Sequence, residues 1–465
     1  MPLGLEPFSP SSRDLWDVAK AGHLLRRAGF GPLPSAIAQA VQVGPERAVD
    51  ALFAFPTEAP PPPSFGEIHP VEARLEEMLR EFVRTNTKPK DTPELRAAYE
   101  DVNRAHGRGL ISLVSWWLDR MATTPAPLQE KLTLFWHGHF TTSAGDVHDA
   151  IVVYNQNQLF RQNAAGNFPR LLDGVARDPA MLRYLNNDAN RKGHPNENWA
   201  RELMELFTLG IGHYTETDIR ESSRAWTGWT LRDYRTFEDR RNFAFKPQLH
   251  DDGVKTFLGQ SGAFDGTDVM RFILANPATP RWIAGKLAKF FVSPTPDADL
   301  VEAMAQRLID SRYEIAPVLR ALFRSRAFYR PEVVHVQIKS PVEFVVGAVR
   351  HLGIADPNWP RLAQLSADAG QRLFYPPTVK GWDGGKAWIN AATIFSRANL
   401  AGLLLSGKFG TPDTTPLSSL ETMAAQLLQR PLPPARRTIL SQAIRGTSRE
   451  AAIHLIMSLP EYQVS

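Results

Sequence analysis

The residues able to do chemistry gather in a few stretches of this 465-residue chain. In Pro195–Gly210, Glu202 and Glu205 stand one helical turn apart, where a neighbouring negative charge and partial burial would raise one carboxyl pKa and create an acid/base pair. Asn198 and Arg201 lie beside them, placed to orient a substrate. Trp136-His137-Gly138-His139-Phe140 sets two imidazoles two residues apart. In an extended segment both rings face one side, as a metal pair needs; in a helix they diverge by ~200°. His250 and Asp252 add further donors, and a mixed His/carboxylate set of His137, His139, His250 and Asp252 suits a divalent ion such as zinc or manganese. The loop Gly370–Trp388 offers Trp382 and Trp388, whose faces can stack on sugars, bases or proline-rich segments.

Each stretch has a plainer reading. Glu197/Arg201 and Arg201/Glu205 are i,i+4 pairs of the kind that lace a solvated helix face. A histidine among apolar residues serves as well in a hydrogen-bonded core. Two glutamates on one helix are unlike a glycosidase pair, which comes from different elements. The aromatic loop can equally be a staple over the core. The discriminating expectation is burial: a functional hub requires Glu202 and Asn198 to be buried and to face His137 and His139.

The elements that must position these residues read as helices. Proline before and glycine after frame 195–210, with Trp199, Leu203, Leu206 and Phe207 on one side. Pro93–Met121 reads as one long helix, Pro127–Phe140 as an apolar one, and His148–Gln162 as another. Pro60–Pro63 is a stiff connection, and Thr85–Pro93 a polar break. Between 230 and 262, Phe243, Phe245, Phe257 and Leu258 alternate with polar residues and glycine, predicting a small extended or hairpin excursion. The fold class is therefore mainly α: a large single helical domain of many short helices, divided into an N-terminal helical segment (1–60), a main domain (64–409) and a C-terminal helical cap (419–465).

Composition narrows the function. Hydrophobic residues make up 43% and charged residues 22%, as in ordinary globular proteins. There is no cysteine, which excludes disulfides and thiolate chemistry. The formal charge is +4, and apart from Arg232, Arg235, Arg240 and Arg241 the basic residues are dispersed, which argues against a nucleic-acid surface. Nucleophile-elbow, zincin, P-loop and dinucleotide-binding motifs are absent. No apolar run is long enough to span a bilayer. The start lacks a signal-peptide pattern, so the expected location is cytoplasmic, or exported if a leader was trimmed.

Taken in order, His23-Leu24-Leu25-Arg26-Arg27-Ala28-Gly29-Phe30-Gly31, Leu134–Phe140, Asn196–Leu206, Tyr214-Thr215-Glu216, Ala225–Trp229, His250–Thr256, Lys339-Ser340-Pro341 and Gly381-Trp382 resemble a bacterial family called domain of unknown function 1800. The resemblance runs from about residue 20 to the end. It implies a protein that is often exported, and a protein partner from a neighbouring family similar to sulfatases. Two functional expectations follow. One is a hydrolase-like enzyme acting on a polymeric or glycan-like substrate, with Glu202, Glu205, His137 and His139 catalytic, Asn198, Arg201, Trp382 and Trp388 binding substrate, and metal dependence through the His/carboxylate set. The other is a non-catalytic binding or assembly module working with a co-expressed partner.

Overall fold

The structure, a computed structural model, describes residues 4–58, 60–85, 91–233, 235–430 and 432–465. Residues 86–90 of the expected polar break lie outside them. Helix starts follow side-chain chemistry closely. Thr92 accepts the Leu95 N–H ahead of Pro93–Thr123, and Asp149 accepts the Ile151 and Val152 N–H groups ahead of Ala150–Gln162. Ser340 and Glu343 close a reciprocal capping box on Pro341–His351.

The fold is mainly α: the described residues are 61% helical, with 23 α-helices and two small two-stranded sheets. Both sheets fall in the expected excursion. Trp229–Leu231 pairs antiparallel with Phe243–Phe245, and Lys255–Phe257 with Gln260–Gly262. Among the described residues no helix is long and apolar enough to cross a membrane.

The helix Pro127–His139 lies between two apolar cores. Leu128, Leu132, Phe135 and Trp136 join the core built with the N-terminal helices and the region to Val333. Leu134 joins the second core, made with the long Pro93–Thr123 helix and the C-terminal helices. Eleven of its thirteen residues are buried, Pro127 and Gly138 being the exceptions. Its polar residues are therefore held rigidly: Glu130 accepts from Arg161 Nε and Nη2 (2.8 and 2.9 Å), the Trp117 indole N–H (2.9 Å) and Arg120. Removing one member of such a buried network leaves the others uncompensated.

The 195–210 stretch departs from a simple helix. Asn198–Glu202 is α-helical, but Leu203–Thr208 widens into a π-helix before Gly210 (φ +81°) ends it. The apolar face forms as expected, with Trp199, Leu203 and Phe207 buried. The wider turn shifts the hydrogen-bond pattern and presents two carbonyls sideways. Leu206 O accepts the Trp282 indole N–H at 2.9 Å, and Phe207 O meets His139 Nε2 at 3.0 Å. π-Helical turns recur at functional positions.

A candidate anion-binding cleft

The face of Pro127–His139 that carries Lys131, Leu134, Phe135 and Gly138 follows i, i+3, i+4, i+7 spacing, so these residues line up along one side. They form the floor of a cleft of about 390 Å³, with His139 at the helix end. Gly138 keeps the floor open, since a Cβ there would meet nothing within 4 Å. Lys286, Lys289 and Phe290 of the helix Ala278–Phe291 make one wall. The Gly370–Trp388 loop makes the other, with Trp382 and Trp388 among its lining residues.

This loop is fastened beneath and open above. Phe374 N–H donates to His137 Nε2 (3.2 Å), Ala144 N–H to Phe374 O (2.8 Å), and the Thr141 hydroxyl to Val379 O. At Gly381 (φ +84°) a Cβ would stand 2.8 Å from the Gly138 carbonyl. Only glycine lets the loop turn in this left-handed conformation while pressing on the helix end. Phe374 and Trp388 are buried as staples, and Trp382 is half-exposed with its ring 5.6 Å from that of His137.

The charge of the lining is one-sided. Arg27, Lys131, Lys286, Lys289, Lys380 and Lys386 face two carboxylates, Glu343 and Asp383. Both carboxylates are engaged: Glu343 by Lys131 and by the Ser340 N–H (2.7 Å), Asp383 by Lys380 (2.8 Å). Lys286, Lys289 and Lys386 meet no carboxylate among the described residues; Lys286 stands over the Trp282 ring at 4.7 Å. Mutual repulsion and burial register in the titration behaviour. Burial, then Lys289 and Lys380, draw Lys286 down to about 8. Burial draws Arg27 to about 9, and burial with Arg27 and Lys339 holds Lys131 well below its usual value. Behind the cleft, Lys339 falls to about 7 through burial, Arg26 and Arg397. Unpaired cations gathered around one cleft, with Lys286 partly buried and Lys289 and Lys386 exposed at its rim, favour whatever anion enters.

His139 is neutral here. Burial, then Lys286, lower it to about 3, against the smaller opposing effect of its bond to Phe207 O. Because Nε2–H donates to that carbonyl, the lone pair lies on Nδ1, which has no hydrogen-bond partner among the described residues. His137, also lowered to about 3 by burial, instead spends its Nε2 lone pair on Phe374 N–H. The two histidines thus have separate tasks, because the segment is helical and their rings diverge.

The other expected site residues stand outside the cleft. Asn198 is exposed and Glu202 half-buried, so the buried hub centred on them does not form. Arg201 makes two 2.9 Å contacts to Glu216 and one of 3.2 Å to Glu197. Glu205 accepts from the Tyr214 hydroxyl at 3.1 Å. Glu202 is raised by burial and then by Glu205, but neither glutamate lines the cleft, and the i,i+4 ion pair of this short helix is Glu197 with Arg201.

The expected metal set is also dispersed. His250 Nδ1 lies 2.9 Å from Thr227 O, and the exposed Asp252 pairs with Lys192. Among the described residues, the one trio with ligand atoms within 4.8 Å of one another is Glu72, His106 and Asp149. It does not fit a metal. Arg241 already bridges Glu72 and Asp149, and His106 Nδ1 accepts the Ala150 N–H (3.1 Å) while Nε2–H donates to Glu72 (3.0 Å). No imidazole lone pair remains, and the guanidinium supplies the balancing charge.

A family model described as a protein of unknown function, DUF1800, matches residues 23–464, nearly the whole chain. The chain belongs to this family. No curated protein and no solved structure matches it. In this DUF1800 chain, the Trp136–Phe140 and Gly381–Trp382 stretches meet at the cleft, and the 195–210 stretch contributes through its π-helical carbonyls and Leu206, not its glutamates. The cations escaped sequence reasoning because they come from six separate positions between residues 27 and 386. The one available signal was the i, i+3, i+4, i+7 spacing from Lys131 to Gly138.

Proposed function

We propose that this cleft binds an anionic, ring-bearing ligand, with an acidic sugar chain as the class that fits best. The observation that carries the reading is six cations against two engaged carboxylates around a cleft whose loop wall carries the half-exposed Trp382. Indole faces stack on sugar rings, and unpaired ammonium groups attract carboxylate or sulfate substituents. The cations converge on one bounded cleft, whereas a nucleic-acid surface tracks the phosphate backbone along a basic stripe.

Tryptophan fluorescence titration with galacturonate oligomers, compared with a neutral oligosaccharide of equal length, tests this. The acidic chain should bind, more weakly as salt rises, and the neutral chain should not. The double substitution Lys380→Ala/Lys386→Ala should weaken binding roughly tenfold, at somewhat under 1 kcal/mol for each rim contact. Glu202→Gln, outside the cleft, should leave affinity unchanged. Equal binding of the neutral chain, or tighter binding of a single-stranded oligonucleotide of the same charge, overturns the reading.

A further inference from the structure

An acidic sugar chain can be cut in two ways that need no oxidant: hydrolysis, or elimination across the bond next to a uronate carboxylate. The cleft discriminates between them. Glycoside hydrolysis needs two working carboxyl groups on either side of the scissile bond. Glu343 has both oxygens committed, to Lys131 and to the Ser340 N–H, so no pair is available. The cleft instead has a neutral imidazole with a free lone pair, and cations without partners.

We propose that the cleft catalyses β-elimination on a uronate-containing glycan, with His139 Nδ1 as the base and the Lys286 ammonium as the acid. This rests on the anionic-ligand reading above. His139 is seven percent exposed and lines the cleft, and its tautomer is fixed by the carbonyl that the π-helix turns toward it. Nδ1 has no partner, yet it is not among the sealed polar atoms of the interior, and neither is the Lys286 ammonium. The two side chains are close enough for Lys286 to depress the His139 pKa.

The step balances without water or cofactor. The C–H bond α to the uronate carboxylate breaks and its proton goes to His139 Nδ1. The released electron pair forms the carbon–carbon double bond, and the adjacent carbon–oxygen glycosidic bond breaks. The departing oxygen takes a proton from Lys286. The imidazolium then returns its proton to the Lys286 amine, in the favourable direction because the lysine is the stronger base of the two. The products are a chain with a free hydroxyl and a chain ending in an unsaturated uronate. Negative charge accumulates on the carboxylate as the C–H bond breaks, and the unpaired Lys289 and Lys386 at the rim supply the positive field that stabilises it. Burial is the larger cause of the lowered His139 pKa, and an anion in the cleft offsets the smaller part that comes from Lys286, which strengthens the base to that extent.

The test uses the full chain with polygalacturonate, alginate and hyaluronan, following two signals together: tryptophan fluorescence for binding, and the ultraviolet absorbance of the conjugated product for elimination. Absorbance should grow with at least one polymer. It should fall by about 10²–10⁴-fold in His139→Gln and separately in Lys286→Gln, while the variants still bind that polymer. Because His139 is packed in the core and its replacement can unfold the chain, Lys286→Gln, nearer the surface, carries the test on its own if needed. Binding without absorbance on all three polymers overturns the elimination and leaves the binding reading standing. New reducing ends without absorbance overturn it in favour of hydrolysis. Absence of any fluorescence response removes the binding reading, and the elimination with it.

Discussion

Replacing Lys286 by methionine should stabilise the protein at neutral pH, and the size of the effect can be worked from its surroundings. Lys286 is drawn from its usual 10.5 to about 8 by burial and by Lys289 and Lys380, with His139 neutral beside it. At 1.36 kcal/mol per tenfold change, holding it charged below the folded pKa costs the native state about 3 kcal/mol. Methionine forfeits the ammonium over Trp282, a contact of about 0.5–1 kcal/mol, leaving a net gain of about 2 kcal/mol. The sign with pH is fixed by linkage. Between the folded value near 8 and the unfolded value near 10.5, the unfolded chain binds more protons, so wild-type stability rises with pH and the penalty vanishes once both states are neutral. Urea unfolding of both proteins at about pH 7 and about pH 10 should therefore show the variant ahead by about 2 kcal/mol at the lower pH and no longer ahead at the higher one. Taking the wild-type-minus-variant difference removes other titrations, including that of Lys339. An advantage that is absent at neutral pH, or the same at both, would refute the picture of a cation held against its will in this cleft.

Two further outcomes test the frame around the site. Arg241→Ala should destabilise by about 3–5 kcal/mol in urea unfolding, because Glu72 and Asp149 would be left buried without their shared guanidinium; the wild-type thermal midpoint should not respond to zinc, manganese or chelator, and a rise with metal would restore the metal reading. Gly381→Ala should cost about 1–3 kcal/mol through its left-handed backbone and the close approach to the Gly138 carbonyl, and should weaken ligand binding by displacing Trp382; unchanged melting and unchanged fluorescence titration would count against the loop's role as a wall.

Periodicity and punctuation carried most of the fold. Pro93–Thr123 begins where Thr92 caps it and Pro93 opens it, Pro127–His139 begins at its proline alone, and the alternation around Phe243 and Phe257 produces the two small sheets, because these signals act within a few residues of chain. The aromatic loop was also legible as a place where Trp382 and Trp388 needed a reason to be there. The helix at 195–210 was legible only as a surface: its apolar stripe formed, and Glu197 makes with Arg201 the i,i+4 ion pair that the spacing allows, while Glu205 accepts from Tyr214. The π-helical turn left no mark in the pattern, since it alters which carbonyl faces sideways without altering which residues are apolar.

The sequence by itself determined a mainly helical chain, an absence of thiol chemistry, and the residue types available for a site. Tertiary structure decided which of them meet. Whether His137 and His139 share a ligand depends on the backbone between them, and a helix separates them into a loop fastener and a ring that lines the cleft. Whether a lysine is routine or strained depends on what packs around it, and Arg27, Lys131, Lys286 and Lys386 acquire a common electrostatic environment only when four distant segments close on one space. Charge–charge energies depend on distance through space and on burial, and neither quantity is written in the spacing of residues along the chain.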